Sequence, residues 1–125
     1  MIVVDSSGWL EYLQETPRAP LFEPALRDPD GVIVPGICLF EVHRLLAAKL
    51  GDTAADAAAS LMRKCRVAAL DADLAQAASA FARQHRLALA DALIYATARG
   101  AGAELWTQDA DFKDLPGVRF FPKPE

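Results

Sequence analysis

Short β-branched runs alternate along this chain with longer segments in which apolar residues recur every three or four positions. Ile2-Val3-Val4, ending at Asp5, and Val32-Ile33-Val34, stopped by Pro35-Gly36, predict two buried strands. Cys65 to Leu70, Glu104 to Thr107 and Val118 to Phe121 predict three more. From Ile37 to Leu50, Leu39, Val42, Leu45, Leu46 and Leu50 keep helical spacing, and Gly51 ends that helix. Further helices are predicted from Thr53 to about Lys64, from Ala72 to about His85 with Asp71 as cap, and from Leu89 to Ala101. Near the start, Ser6 or Ser7 can cap a helix carrying Trp9, Leu10 and Leu13 that ends before Pro17. The segment after it, with Pro17, Pro20, Pro24 and Pro29, has room for a short helix around Leu21 to Leu26. Strands alternating with helices predict the α/β class. The expectation is one domain over residues 1–125, with a central parallel sheet of about five strands flanked by helices on both faces.

Composition narrows the class without naming the chemistry. With 53% hydrophobic and 24% charged residues the chain is that of a packed domain and not a disordered one. No apolar run reaches the ~18 residues of a membrane span, and the first residues lack the basic region of a secretory signal. Cys38 and Cys65, both in apolar surroundings, are expected to be reduced, buried thiols, and the cytoplasm is the expected location. A net charge of -4 argues at first against a nucleic-acid partner. It argues less if several of the 17 acids surround a cation. The basic groups Arg63-Lys64 with Arg66, and Arg83 with Arg86, are expected on solvated helix faces.

Four acids fall at one rim of this fold. Ligands of an open parallel sheet gather beyond the carboxyl ends of its strands. Asp5 follows the first strand directly and Asp109 lies two residues past Thr107. Glu41 is expected in the first turn or so of the helix after the second strand, and Asp91 near the start of the helix feeding the fourth. Between Leu87 and Ala98 the sole charge is Asp91, and an unpaired carboxylate in such a setting needs a partner or a cation. Taken singly, Asp91 and Glu41 also suit a helix dipole, and Asp5 suits a helix cap. Their joint placement favours function. Carboxylates this close repel, and a hard ion such as Mg²⁺ or Mn²⁺ relieves that repulsion through oxygen ligands. His43 and His85 stand apart without zinc-like spacing, so a metal-activated water is the natural nucleophile for a phosphodiester. A glycine-rich phosphate loop is absent.

In this pattern the chain resembles the PIN-domain ribonucleases, and among them the VapC-type toxins of type II toxin–antitoxin systems. Ile2 to Ser7 is similar to that family's hydrophobic-Asp-Ser/Thr-Ser opening, and Glu41 ahead of a leucine-rich helix to its second acid. Leu89 to Ala98 and Leu105 to Phe112 resemble its third and fourth motifs, so the resemblance spans essentially the whole chain in order. It implies catalytic acids Asp5, Glu41, Asp91 and Asp109, with Asp5, Asp91 and Asp109 on the metal. Ser7, Thr107 and Asp111 would support them from a second layer. It also implies RNA cleavage leaving a 5′-phosphate, a homodimer, and inhibition by a VapB-type antitoxin. One position departs from the family: where Ser or Thr commonly forms a capping box with the second acid, this chain has Cys38, a poor acceptor.

Three other readings compete. A housekeeping RNA-processing nuclease would share the chemistry, although no zinc ribbon or RNA-binding module accompanies the domain. A non-catalytic interaction domain would keep the fold, but four retained acids speak against it. A haloacid-dehalogenase-type phosphatase also begins strand-Asp, yet the second residue after Asp5 is Ser7 where that chemistry needs Asp.

Overall fold

The computed structural model describes residues 1–124. Its strands are β1 (Ile2–Val4), β2 (Val32–Pro35), β3 (Arg66–Ala68), β4 (Glu104–Thr107) and β5 (Val118–Phe120). All pair in parallel, in the order β3-β2-β1-β4-β5. Six helices fill the crossovers: α1 (Ser6–Leu13) and α2 (Ala19–Leu26), α3 (Gly36–Leu50) and α4 (Asp52–Met62), α5 (Ala72–His85) and α6 (Leu89–Gly100). The α/β class and the five-stranded parallel sheet are those read from the pattern.

The chain steps outward from β1 to β2 to β3, then crosses back to lay β4 on the other side of β1. The strand order therefore reverses between β1 and β4, which is where an open α/β sheet leaves a crevice at its carboxyl edge. Right-handed crossovers put the returning helices on the face opposite α1 and α2. Val3, Val4, Val32, Ile33, Val34 and Leu105 are buried between the layers. Helix α6 is buried continuously from Ala92 to Ala98, so it runs through the core with Asp91 at its solvent-facing start.

Three local readings shift. The short helix expected around Leu21 to Leu26 is present but starts two residues earlier, at Ala19: Pro20 occupies the first turn of α2, where no amide partner is needed, and Pro24 forgoes one bond within it. Pro35-Gly36 was expected to stop β2, but Pro35 is the last strand residue, opposite Ala68, and Gly36 begins α3 at once. Ser6 and Ser7 lie inside α1, and Asp5 caps it. Of the two cysteines, both free, Cys38 is buried as expected and Cys65 only partly so.

The α1–α2 layer approaches β1 closely at Gly8. A Cβ there would lie 2.6 Å from Val4 Cγ1 and 2.8 Å from the Phe22 ring, and neither neighbour can retreat, since both are fully buried. Gly100, in the last turn of α6, faces open space. Gly8→Ala is expected to destabilise by about 1–3 kcal/mol despite the better helix propensity. Gly100→Ala is expected to stabilise by about 0.5–1 kcal/mol. Urea unfolding midpoints check both, and equal signs would refute this account of the close approach.

Candidate metal centre

Asp5 is built into the turn where β1 becomes α1. Its backbone is extended (φ −70°, ψ 170°), and its Oδ1 accepts from the Gly8 amide at 3.0 Å as the cap of α1. The Ser7 hydroxyl donates to the same oxygen at 3.0 Å. The pairing of Val4 with Trp106 brings the next residues together across the strands, and Thr107 Oγ1 donates to Asp5 Oδ2 at 2.6 Å. Cap and site are thus one carboxylate, only 4% exposed. Burial raises its pKa, outweighing the hydrogen bonds from Thr107, Gly8 and Ser7, and Asp109 adds to the rise.

Thr107 ties the fourth motif to the first. While it donates to Asp5, its hydroxyl oxygen accepts from the Asp109 amide at 2.9 Å. Asp109 then caps the short 3-10 turn Ala110–Phe112 by accepting from the Asp111 amide at 2.9 Å. Glu41 lies on the sixth residue of α3, one residue deeper than a start at Ile37 would put it, because that helix begins at Gly36. Ser6 reaches across from α1 and donates to Glu41 Oε1 at 2.7 Å. The cap position of α3 is Pro35, which offers no side-chain bond, and Cys38 lies inside the helix three residues before Glu41. The Cys38 thiol is buried beneath the acids, and burial, reinforced by Asp5, Glu41 and Asp91, pushes it far up, which keeps it a neutral thiol.

Asp91 is the unsatisfied member. It sits in the first turn of α6, whose cap Ala88 offers no side-chain bond, and no hydrogen bond to its carboxylate is found among the described residues. Desolvation, then the carboxylates of Asp109, Asp111, Asp5 and Glu41, push its pKa up to about 7. Asp91, Asp109 and Asp111 each place an oxygen within 4.8 Å of the others, with Asp111 the exposed member of the three. Asp5, Glu41, Asp91 and Asp109 line one cavity of about 240 Å³ together with Ser6 and Ser7. Larger, mostly apolar hollows beside α1 and α4 hold none of these acids.

This donor set suits a hard divalent ion. Every available ligand is an oxygen, and a cation beside Asp91 would replace the repulsion that holds its proton. His43 is taken up by Asp56 at 2.8 Å, and His85 stacks on Phe81 at 6.0 Å, so no imidazole enters the cavity.

The family model for the PIN domain matches residues 2–118. The chain belongs to the PIN domain family. Solved structures of toxins and toxin–antitoxin complexes superpose over nearly its full length. A toxin–antitoxin complex from Klebsiella pneumoniae aligns with a TM-score of 0.82 at 21% identity, over 98% of this chain and 100% of that one. The sarcin–ricin-loop-cleaving toxin VapC20 of Mycobacterium tuberculosis aligns at 0.78 and 26% identity, over 94% and 97% of the two chains. A DNA-bound VapBC complex from Salmonella typhimurium gives 0.72 and 17%, over 97% and 96%. No curated protein sequence matches the chain significantly.

Several residues of this PIN site escaped the sequence reading. Ser6 was weighed only as a cap, and its partner Glu41 is 35 positions away. Arg18 Nε donates to the buried Gln108 side chain at 2.6 Å and its Nη2 to the Phe121 carbonyl at 3.1 Å, clamping the strand end between Thr107 and Asp109. Nothing local in the sequence announces that clamp. Arg44, which also lines the acidic cavity, was legible from its three-residue spacing to Glu41 on one helix face.

An acid whose pKa is raised on folding holds its proton more tightly in the folded state, so stability falls as pH climbs from the unfolded to the folded value. For Asp91 that window runs from the ordinary 3.8 to about 7. In EDTA, Asp91→Asn is therefore expected to melt at the same temperature as wild type near the bottom of the window and higher above its top. Parallel melting curves across the window would contradict the assigned burial and repulsion.

Proposed function

We propose that this chain is the toxin of a type II toxin–antitoxin pair, a Mg²⁺- or Mn²⁺-dependent endoribonuclease that a VapB-type antitoxin inhibits in the cytoplasm. The observation that carries the reading is the cavity at the sheet's switch point, where four carboxylates converge and Asp91 has no hydrogen-bonding partner. Similarity to a toxin that cleaves the sarcin–ricin loop, at 26% identity over 94% of the chain, supports RNA as the substrate. No observation favours a housekeeping nuclease or a purely structural role for the acids.

Asp5, Asp91 and Asp109 would hold the metal, with Asp111 beside them. When bound, such an ion supplies an activated water and neutralises charge on the phosphodiester. Asp5 is fixed by Gly8, Ser7 and Thr107 and cannot swing away from the cavity. Glu41 keeps Oε1 on Ser6, which leaves Oε2 free to take a proton from the attacking water. Attack of water on phosphorus with departure of the 3′-oxygen leaves a 5′-phosphate.

Two apolar surfaces fit the proposed partners. Leu13, Leu46, Leu50 and Leu61 line a groove of about 580 Å³ between α1, α3 and α4 that suits the apolar face of an antitoxin helix. On another side, Phe40 and Leu70, 60% and 59% exposed, flank a hollow with Leu74 and Leu93 that suits a second copy of the chain.

Purified protein is expected to cleave RNA only with Mg²⁺ or Mn²⁺, and Asp5→Asn or Asp91→Asn to lower the rate by about 10³-fold or more. Expression alone is expected to arrest growth, with rescue by the adjacent small open reading frame. Cleavage that survives EDTA would end the metal mechanism, and unchanged growth with active protein would end the toxin reading.

For the surfaces, Leu61→Asp is expected to weaken antitoxin binding by about 10-fold or more while cleavage persists. Phe40→Asp is expected to convert a dimer to a monomer in light scattering. A wild-type monomer at micromolar concentration would remove the dimer proposal.

A further inference from the structure

The acidic cavity contains one cation. Arg44 lies on α3, three residues after Glu41, and lines the cavity with Asp5, Glu41, Asp91 and Asp109. An arginine beside several carboxylates would ordinarily pair with one. Yet the ion pairs among the described residues are Arg18–Glu11, Arg27–Glu23 and His43–Asp56, and Arg44 is in none of them. The other arginines near the site are committed: Arg18 is held by Gln108 and Phe121, and Arg119 stacks over Trp106 at 4.3 Å. Arg44 is exposed, on the same face as Glu41 and with no acid to hold it.

We infer that Arg44 is the phosphate-gripping residue of this site, donating to the RNA phosphate whose bond is cut or to its immediate neighbour. The inference rests on the nuclease reading above. A planar guanidinium presents a fork that matches two phosphate oxygens, which a lysine ammonium cannot reproduce. Placed at the rim of a centre made of carboxylates, it supplies the one attraction for a polyanion that the bare protein offers there. It also faces the charge that grows on the phosphoryl oxygens during attack. Such a grip would place a cation for the RNA backbone at the acidic cavity of a chain whose net charge is -4.

The test uses the full chain and a fluorescein-labelled single-stranded RNA of mixed sequence. Binding is followed by anisotropy with Ca²⁺ in place of Mg²⁺, on RNA confirmed intact by gel. Arg44→Ala is expected to weaken binding by about 10- to 100-fold and to reduce the slope of log K against log salt by roughly 0.7. Arg44→Lys is expected to restore the slope but only part of the affinity. In Mg²⁺, Arg44→Ala is expected to raise KM and lower kcat/KM, with Mn²⁺ affinity by calorimetry unreduced. RNA affinity and salt slope equal to wild type in Arg44→Ala would overturn the inference, whatever the cleavage assay shows. Wild-type protein that binds RNA through Arg44 but neither cleaves it nor binds Mn²⁺ would instead overturn the nuclease reading.

Discussion

The hydrogen bond from Thr107 to Asp5, 2.6 Å long and fully buried, joins the two strands at which the sheet reverses its order. Much of the site takes its place from it. On one side Asp5 caps α1, which sets the direction of that helix and lets Ser6 reach Glu41. On the other, Thr107 holds the Asp109 amide, and Asp109 in turn holds that of Asp111. A short relay of polar contacts therefore turns the β1–β4 register into the positions of Asp5, Asp109 and Asp111 and ties Glu41 to them through Ser6. A slip of the β1–β4 register would break it, because the bond requires Val4 to stay opposite Trp106.

This relay leaves the carboxylates unequally satisfied, and the inequality is chemically useful. Asp5 has three donors and Glu41 has one, while Asp91 has none and feels every neighbouring acid. A site in which all acids were capped by protein donors would be stable and would have little reason to take up a cation. Here the folded state keeps a repulsion that an ion or a proton would relieve, so binding of a cation beside Asp91 would be linked to stability. The surrounding core of Val3, Val4, Leu105 and the buried run of α6 is what allows so small a domain to tolerate that cost.

Much of this was legible in the sequence because its signals are local. The β-branched run before Asp5 and the segment Glu104 to Thr107 marked strand ends, and the apolar frame of Asp91 marked a carboxylate in need of a partner or a cation. What was not legible is long-range or depends on where a helix starts. Glu41 sits one residue deeper in its helix than expected because Pro35-Gly36, the usual signature of a loop, serves here as strand end and helix start. Helix α2 was half hidden by prolines that happen to occupy tolerated positions. The Arg18 clamp spans 90 residues to Gln108, and no spacing rule reaches that far.

That clamp also explains why the strand end after β4 can hold so many polar groups in order. Gln108 stands between Thr107 and Asp109, and is itself 5% exposed, so its amide needs a partner of its own. Arg18 provides one and at the same time ties down the carbonyls of Phe121 and Pro122. Its charge is partly balanced by Glu11 at 3.6 Å, so the network is closed on its outer side. The acids facing the cavity are thus backed by a satisfied layer, and the electrostatic strain is confined to the side from which an ion and a substrate would arrive. A loose strand end would let Asp109 and Asp111 drift apart until their repulsion relaxed, and the affinity of the site for a cation would relax with it.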